Sequence, residues 1–248
     1  MDGVHELHSA FEKNKLQLFY EKIAAQIRAI DKDKILFINH SYFCNSGVNT
    51  ALKPLKINNQ KDSLVAYAAH VYDLLVDTNN MENSSSHRLE GIFGNISKNA
   101  KRINLPVLIG EWGALHSDSN AMLKIAQTNI NLINNYKFSN TYWAYYPGTE
   151  NDLYFKEAII RPYPYAISGE LLSYNYDLNS HEFYCEWNEL KDIKEPTIFY
   201  LPNINKAHVE FDCAYKIKPI ENSNVGYLTI NNLDAKKKTQ RVIRIMWN

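Results

Sequence analysis

The stretch Leu105–His116, "LPVLIGEWGALH", sets a proline at the mouth of an apolar run and ends that run on Glu111, between Gly110 and Trp112. Val107, Leu108 and Ile109 show no polar alternation, the pattern of a strand buried on both faces of a parallel sheet. A carboxylate closing such a strand is costly to desolvate unless it is paired. It is therefore either a structural anchor or a reacting group. For a single glutamate the anchor, capping a helix or pairing with an arginine, is the commoner reading.

Composition narrows the setting. The chain has 248 residues, 45% of them hydrophobic, with 27 basic and 27 acidic side chains. That balance offers no field for a nucleic acid or an anionic membrane surface, so no nucleic-acid partner is expected. No apolar run approaches about 18 residues, which predicts no transmembrane segment. The amino-terminal "MDGVHELHSAFEKN" has no apolar core of the signal-peptide kind. Cys44, Cys185 and Cys213 stand far apart. At most one disulfide could form, and free core thiols are the expectation. Their spacing with histidines and acids suggests no metal site, so neither metal nor cofactor is expected.

Outward from Glu111 the chain has two textures. Leu16, Phe19, Tyr20, Ile23, Ile27 and Ile30 share one helical face, followed by the polar turn "DKDK" and the compact apolar run "ILFIN". Met122, Ile125, Ala126, Ile130 and Ile133 make another helical face behind "SDSN", a helix-start cluster. "NTYWAYYPG" reads as a further strand closing on a turn. Alternating helices and strands mean βα units around a parallel sheet. From about Ile159 helical spacing vanishes. "LLSYNYDLNSHEFYCEWN", "TIFYLP", "HVEFDCAYKIKP", "VGYLTINNL" and "RVIRIMWN" are short alternating runs, as in an antiparallel sandwich. "RPYPYAISG" is the stiff junction, and the polar "NNMENSSSHR" reads as a mobile loop. "DSLVAYAAHVYDLLVD" is ambiguous: its periodicity favours a helix, while "VAYAAHVYD" could equally be a buried strand.

Catalytic groups in parallel α/β folds gather at the carboxyl ends of strands. Glu111 and Trp143 occupy such ends, and so do His70 and Tyr72 if their segment is a strand. A carboxylate, a histidine, a tyrosine and a tryptophan on one rim suit a sugar: aromatic faces cover the apolar side of a pyranose and the polar groups orient its hydroxyls. Taken in order, "LQLFYEKIAAQIRAIDKDKILFIN", "YAAHVYD", "LPVLIGEWGA", "NTYWAYYPG" and "IIRPYPYAISG" resemble glycoside hydrolase family 5, in particular its endoglycoceramidase-like members. The resemblance spans about residues 14 to 175 by motif. It implies a partial (β/α)8 TIM barrel, strands five to eight, over residues 1–158, followed by a β-sandwich over 159–248. It also makes the His70 segment the sixth barrel strand.

Carried over residue by residue, the resemblance implies Glu111 as nucleophile, with Tyr72 hydrogen-bonded to it and His70 ordering the site. Trp143 would floor the sugar subsite, and Glu150 and Asn151, just after that strand, would reach the substrate. It implies a retaining β-glycosidase for the oligosaccharide–ceramide linkage, with a glycolipid or oligosaccharide as partner and peripheral contact with a membrane-borne substrate. A secreted or lysosomal location would follow from the family; the sequence itself leaves location unknown. One departure stands out. The family's acid/base sits in an Asn-Glu-Pro motif, and the sole Glu-Pro here is Glu195-Pro196 in the all-β tail. With four barrel strands counted around Ile35–Asn39, Val65–Tyr72, Val107–Glu111 and Thr141–Tyr146, the expectation is a chain lacking strands one to four and the acid/base. A non-catalytic carbohydrate-binding protein is the alternative.

Overall fold

The computed structural model describes residues 2–190, 192–231 and 240–247, with side chains from residue 6 onward. Asn232, Leu233 and Asn248, the ends of two expected strand runs, lie outside the described residues. Two compact units form: Met1–Ser117 with Phe138–Pro147, and Asp118–Lys137 with Gly148–Asn248. The sequence expectation put the change at 158/159. In the second unit the turn Phe155–Ile159 packs on the helix Asn120–Tyr136.

The first unit begins with α1 (Asp2–Phe11), a π-helical turn (Glu12–Leu16) and α2 (Gln17–Ile30). Then come β1 (Leu36–Ile38), the small hairpin β2 (Lys56–Ile57) and β3 (Gln60–Lys61), β4 (Val65–Val71), α3 (Ser86–Ile103) and β5 (Val107–Trp112). α4 (Asn120–Tyr136), a member of the second unit, intervenes before β6 (Ser139–Asn140). The sheet runs β1-β4-β5-β6 with every pairing parallel. This is the strand succession of a barrel segment.

β4 corrects the helical periodicity of its segment. Val65, Ala66, Tyr67, Ala68, Ala69 and Val71 are all buried, so both faces of this central strand are covered and no polar face remains to show a period. The expected strand at Thr141–Tyr146 is corrected as well. Regular pairing occurs at Ser139–Asn140, and beyond it Trp143 makes a single parallel bridge to Gly113. The α2 face is only half realised: Tyr20, Ile23 and Ile27 are half-buried, while Phe19 and Ile30 are exposed.

Local chemistry explains the element ends. Asp31 Oδ1 accepts from the N–H groups of Asp33 and Lys34, turning the chain after α2. Arg28 reaches across to Asp62 at 2.8 Å and to the Leu64 carbonyl at 3.0 Å, tying α2 to the entry of β4. The serine-rich segment taken for a mobile loop starts a helix: Ser85 Oγ accepts from the Arg88 N–H as the cap of α3. Ser119 caps α4 in the same way.

In the second unit, β7 (Tyr163–Ala166), β8 (Gly169–Asp177), β9 (Glu182–Glu189), β10 (Thr197–Leu201), β11 (Ala207–Glu210), β12 (Lys216–Pro219), β13 (Gly226–Ile230) and β14 (Gln240–Trp247) form two antiparallel sheets. Their orders are β12-β13-β10-β7 and β11-β14-β9-β8. Inward positions alternate along β9, β10, β13 and β14, so Phe183, Cys185, Trp187, Phe199, Leu201, Leu228, Ile243 and Ile245 build one core. All three cysteines are free, as expected, with Cys44 and Cys185 buried. Among the described residues no helix is long and apolar enough to cross a membrane.

Gly169, at the end of "RPYPYAISG", stands where a Cβ would lie 1.9 Å from the Asn188 carbonyl oxygen, at φ +153°. Only glycine lets β8 and β9 pair there. Gly169→Ala is expected to lower the urea midpoint of the second unit by the equivalent of about 1–3 kcal/mol. An unchanged midpoint would show that the strands part at this point without cost.

Candidate active site

β4 and β5 pair in simple register at Tyr67↔Val107, Ala68↔Leu108 and Ala69↔Ile109, and then the register shifts so that His70 stands opposite Glu111. Gly110 is the extra residue of this bulge. A Cβ on it would sit 3.2 Å from the His70 ring, so glycine allows the imidazole to lie against the strand. Without the shift, Glu111 would share a level and a face with Val71, away from His70.

The result is a three-residue contact. Tyr72 Oη donates to Glu111 Oε2 at 2.9 Å, and His70 Nδ1 lies 3.2 Å from the same oxygen. His70 and Tyr72, two residues apart, face the same way by strand alternation. The Glu111 carboxylate is 28% exposed, so it is open to a ligand yet held by two groups. Burial pulls His70 below the ordinary imidazole range, against the opposing pull of Glu111. A neutral ring can still donate through Nδ1–H. Burial, then the neighbouring Glu111, pushes the Tyr72 phenol well up, so it stays a donor at any physiological pH.

The end of β4 is clamped one residue further on. Asp73 is buried and accepts from Arg88 Nε at 2.9 Å and from the N–H groups of Leu75 and Ser85. Burial alone would raise its carboxyl; the hydrogen bonds from Arg88 and from the Leu75 and Ser85 N–H groups bring it below the usual range. Tyr72 is thereby fixed between a central strand and an ionic anchor.

Trp143 joins through its backbone. Its N–H donates to the Trp112 carbonyl at 2.9 Å, and its own carbonyl accepts from Ala114 N–H at 2.6 Å. The Trp143–Ala144 peptide bond is cis. The indole is 49% exposed beside a strand end. Trp112 by contrast is buried, its Nε1–H donating to Asn140 Oδ1 at 2.9 Å. The structure thus unites Glu111, His70 and Tyr72 in direct contact and attaches Trp143 by main chain to the residues that follow Glu111. Glu150 turns its carboxylate onto the Gly148 N–H at 2.8 Å, closing its own turn in the second unit.

Sequence reading passed over His40. It follows β1, bonds Tyr67 Oη through Nδ1 and Asn45 Oδ1 through Nε2 at 2.9 Å, and feels the charge of His70. A histidine after an apolar strand was its only signal.

The chain matches the family model "Cellulase (glycosyl hydrolase family 5)" over residues 2–149 and "Glycoside hydrolase family 5 C-terminal domain" over residues 161–245. It is built as a barrel-type domain followed by a β-rich one. The chain belongs to glycoside hydrolase family 5. Among solved structures, endo-glycoceramidase II from Rhodococcus sp. superposes with a TM-score of 0.78 at 18% identity, over 97% of this chain and 56% of that one. Its lactosyl-enzyme intermediate superposes with a TM-score of 0.77 at 18% identity, over 97% and 55%. Sterylglucosidase 1 from Cryptococcus neoformans gives 0.68 at 13% identity, over 96% and 45%. At such identities the likeness is one of fold, and the chain spans about half the length of these proteins, 56% of endo-glycoceramidase II and 45% of the sterylglucosidase. No curated protein matches the sequence.

His40 carries a pH prediction. Burial pushes it down to about 4 from 6.5, with the His70 and His8 charges acting the same way and Asn45 and Glu12 opposing. Its neutral form is therefore the folded form. The stability it contributes is complete above pH 6.5 and is lost as pH falls toward 4, on the order of 3 kcal/mol in all. Melting temperature should fall across that window, and His40→Gln should flatten the fall. An unaltered slope in the variant would reject the assignment.

Proposed function

We propose that this chain carries the nucleophile half of a retaining β-glycosidase site. Glu111 attacks the anomeric carbon through the oxygen left open by its partners. A covalent glycosyl-enzyme forms through an oxocarbenium-like transition state, and water then releases the sugar. Tyr72 and His70 hold the carboxylate in position, and Trp143 presents its face to the sugar ring. The observation that carries this reading is the convergence on Glu111 Oε2, at a strand's carboxyl end, of the Tyr72 hydroxyl, which donates to it at 2.9 Å, and His70 Nδ1, 3.2 Å away. The substrate we infer is a glycolipid cut between oligosaccharide and ceramide. Endo-glycoceramidase II, which the chain resembles in fold, has been captured with ganglioside GM3 and as a lactosyl-enzyme intermediate.

Retaining hydrolysis needs a second carboxyl group about 5–5.5 Å from the first, to protonate the leaving oxygen. We infer that this proton donor is not supplied by the present chain. Asn-Glu-Pro is absent from the sequence, and the sheet containing Glu111 has four strands where a closed barrel has eight. Natural glycolipids, whose leaving alkoxide needs the proton, would turn over poorly. Aryl glycosides with good leaving groups would be far less affected.

An aryl fluoro-glycoside inactivator tests the nucleophile. One glycosyl mass should appear on the peptide bearing Glu111 and should be missing in Glu111→Gln; a label on another residue would reject the reading. Tyr72→Phe removes a hydrogen bond to a charged group worth about 1.5–3 kcal/mol. Labelling should then slow by roughly 10- to 100-fold. The exposed Trp143 indole also suits a purely carbohydrate-binding protein. Sugar binding that survives Glu111→Gln but not Trp143→Ala, with no labelling in the parent chain, would favour that second reading.

A further inference from the structure

Away from the rim, His8, Glu12 and Cys44 come together in the interior of the first unit, exposed by only 4%, 0% and 1%. His8 and Glu12 lie one helical turn apart where α1 passes into the π-helical turn, and Cys44 comes from the 3-10 turn Tyr42–Ser46 after β1. We propose that these three side chains bind one zinc ion.

The argument is geometric first. His8 Nε2 lies 3.4 Å from Cys44 Sγ and 3.6 Å from Glu12 Oε2, and Cys44 Sγ lies 3.8 Å from Glu12 Oε1. Tetrahedral zinc, with bonds of about 2.0 Å to nitrogen or oxygen and about 2.3 Å to sulfur, requires about 3.3 Å between N and O ligands. To a sulfur ligand it requires about 3.5 Å. The nitrogen–sulfur edge is within about 0.1 Å of its ideal. The contacts to Glu12, made to Oε2 from His8 and to Oε1 from Cys44, are each longer than ideal by about 0.3 Å, so a rotation of the carboxylate is what brings one oxygen onto the ion. The Asn49 carbonyl, 3.3 Å from His8 Nε2, is on hand for the fourth position.

The surroundings are those of a metal centre. Ser41 Oγ meets His8 Nδ1 at 2.5 Å, which aims Nε2 at the cluster. Glu12 Oε1 accepts from Ser41 N–H at 2.9 Å. Glu12 Oε2 accepts from Thr50 Oγ1 at 2.8 Å and from Ala51 N–H. Such outer hydrogen bonds orient ligating imidazoles and carboxylates. His8 and Ser41 also line a cleft of about 410 Å³ with Leu7, Phe11, Tyr42 and Phe43, which provides an entry path. A nitrogen, sulfur and oxygen donor set selects a borderline ion over magnesium or calcium. Zinc takes Cys44 as the thiolate, so its proton passes to solvent as the Zn–S bond forms. The ion would pin α1 to the turn after β1, a structural role independent of glycoside chemistry. The sequence signal was His8 and Glu12 at helical spacing; Cys44, remote in the chain, concealed the third ligand.

The test is cobalt(II) titration of the untagged, metal-stripped chain. One equivalent should produce a thiolate-to-cobalt charge-transfer band that zinc displaces, and chelation of the zinc-loaded chain should lower its melting temperature. Cys44→Ser should abolish the band and weaken zinc binding by at least ~100-fold, while Cys213→Ser keeps both. No charge-transfer band in the parent chain would overturn the proposal, leaving the trio a hydrogen-bonded core network. A band lost in Cys213→Ser would overturn it too, and that comparison decides even if Cys44→Ser does not fold.

Discussion

The shift in strand register at Gly110 is the constraint on which the candidate site depends. A parallel pair without it would carry Glu111 to the face of Val71, and the carboxylate would have neither Tyr72 nor His70 as a neighbour. The bulge costs a ladder hydrogen bond and a residue without a side chain. In return Glu111 Oε2 receives the Tyr72 hydroxyl and lies 3.2 Å from His70 Nδ1, both from the carboxyl end of the neighbouring strand. Because β4 is buried on both faces and its end is clamped by the Asp73–Arg88 pair, those groups cannot easily drift. Rigidity of the partner strand is what turns a strand-end carboxylate into an oriented group.

The same sheet has edges of a particular kind. β1 and the two-residue β6 are its edges among the described residues. Ile35 and Phe37 are more than half exposed there, and a cleft of about 340 Å³ runs past them to Leu64, Pro106 and Leu108. A parallel sheet is stable when both faces and edges are covered. The four-stranded sheet thus leaves apolar surface exposed beside its edge strands.

The two units draw on different sources of stability. In the sandwich, alternate side chains of β9, β10, β13 and β14 enter one aromatic-rich core. In the first unit a buried polar layer sits beneath the loops after β1, where Glu12 accepts hydrogen bonds from three separate chain positions. Such a layer is costly unless every member is satisfied, and once satisfied it specifies a single arrangement of the loops.

What the amino-acid sequence determined by itself was whatever local periodicity or ordered motif could express. That includes the helix of α4 with its serine cap, the strand ending at Glu111, the alternating strands of the sandwich, and the family to which the motif series points. Tertiary structure alone decided the rest. β4 could not be told from a helix, because a strand covered on both faces has no polar side to reveal its period. Nor could residues 139–146 show where pairing stops, since the ladder's length depends on a partner strand far away in sequence. The convergence of His8, Glu12 and Cys44, and the level at which Glu111 meets His70, are likewise relations between distant segments. Periodicity reports what one segment presents to its surroundings; which segment lies opposite is set by packing of the whole unit.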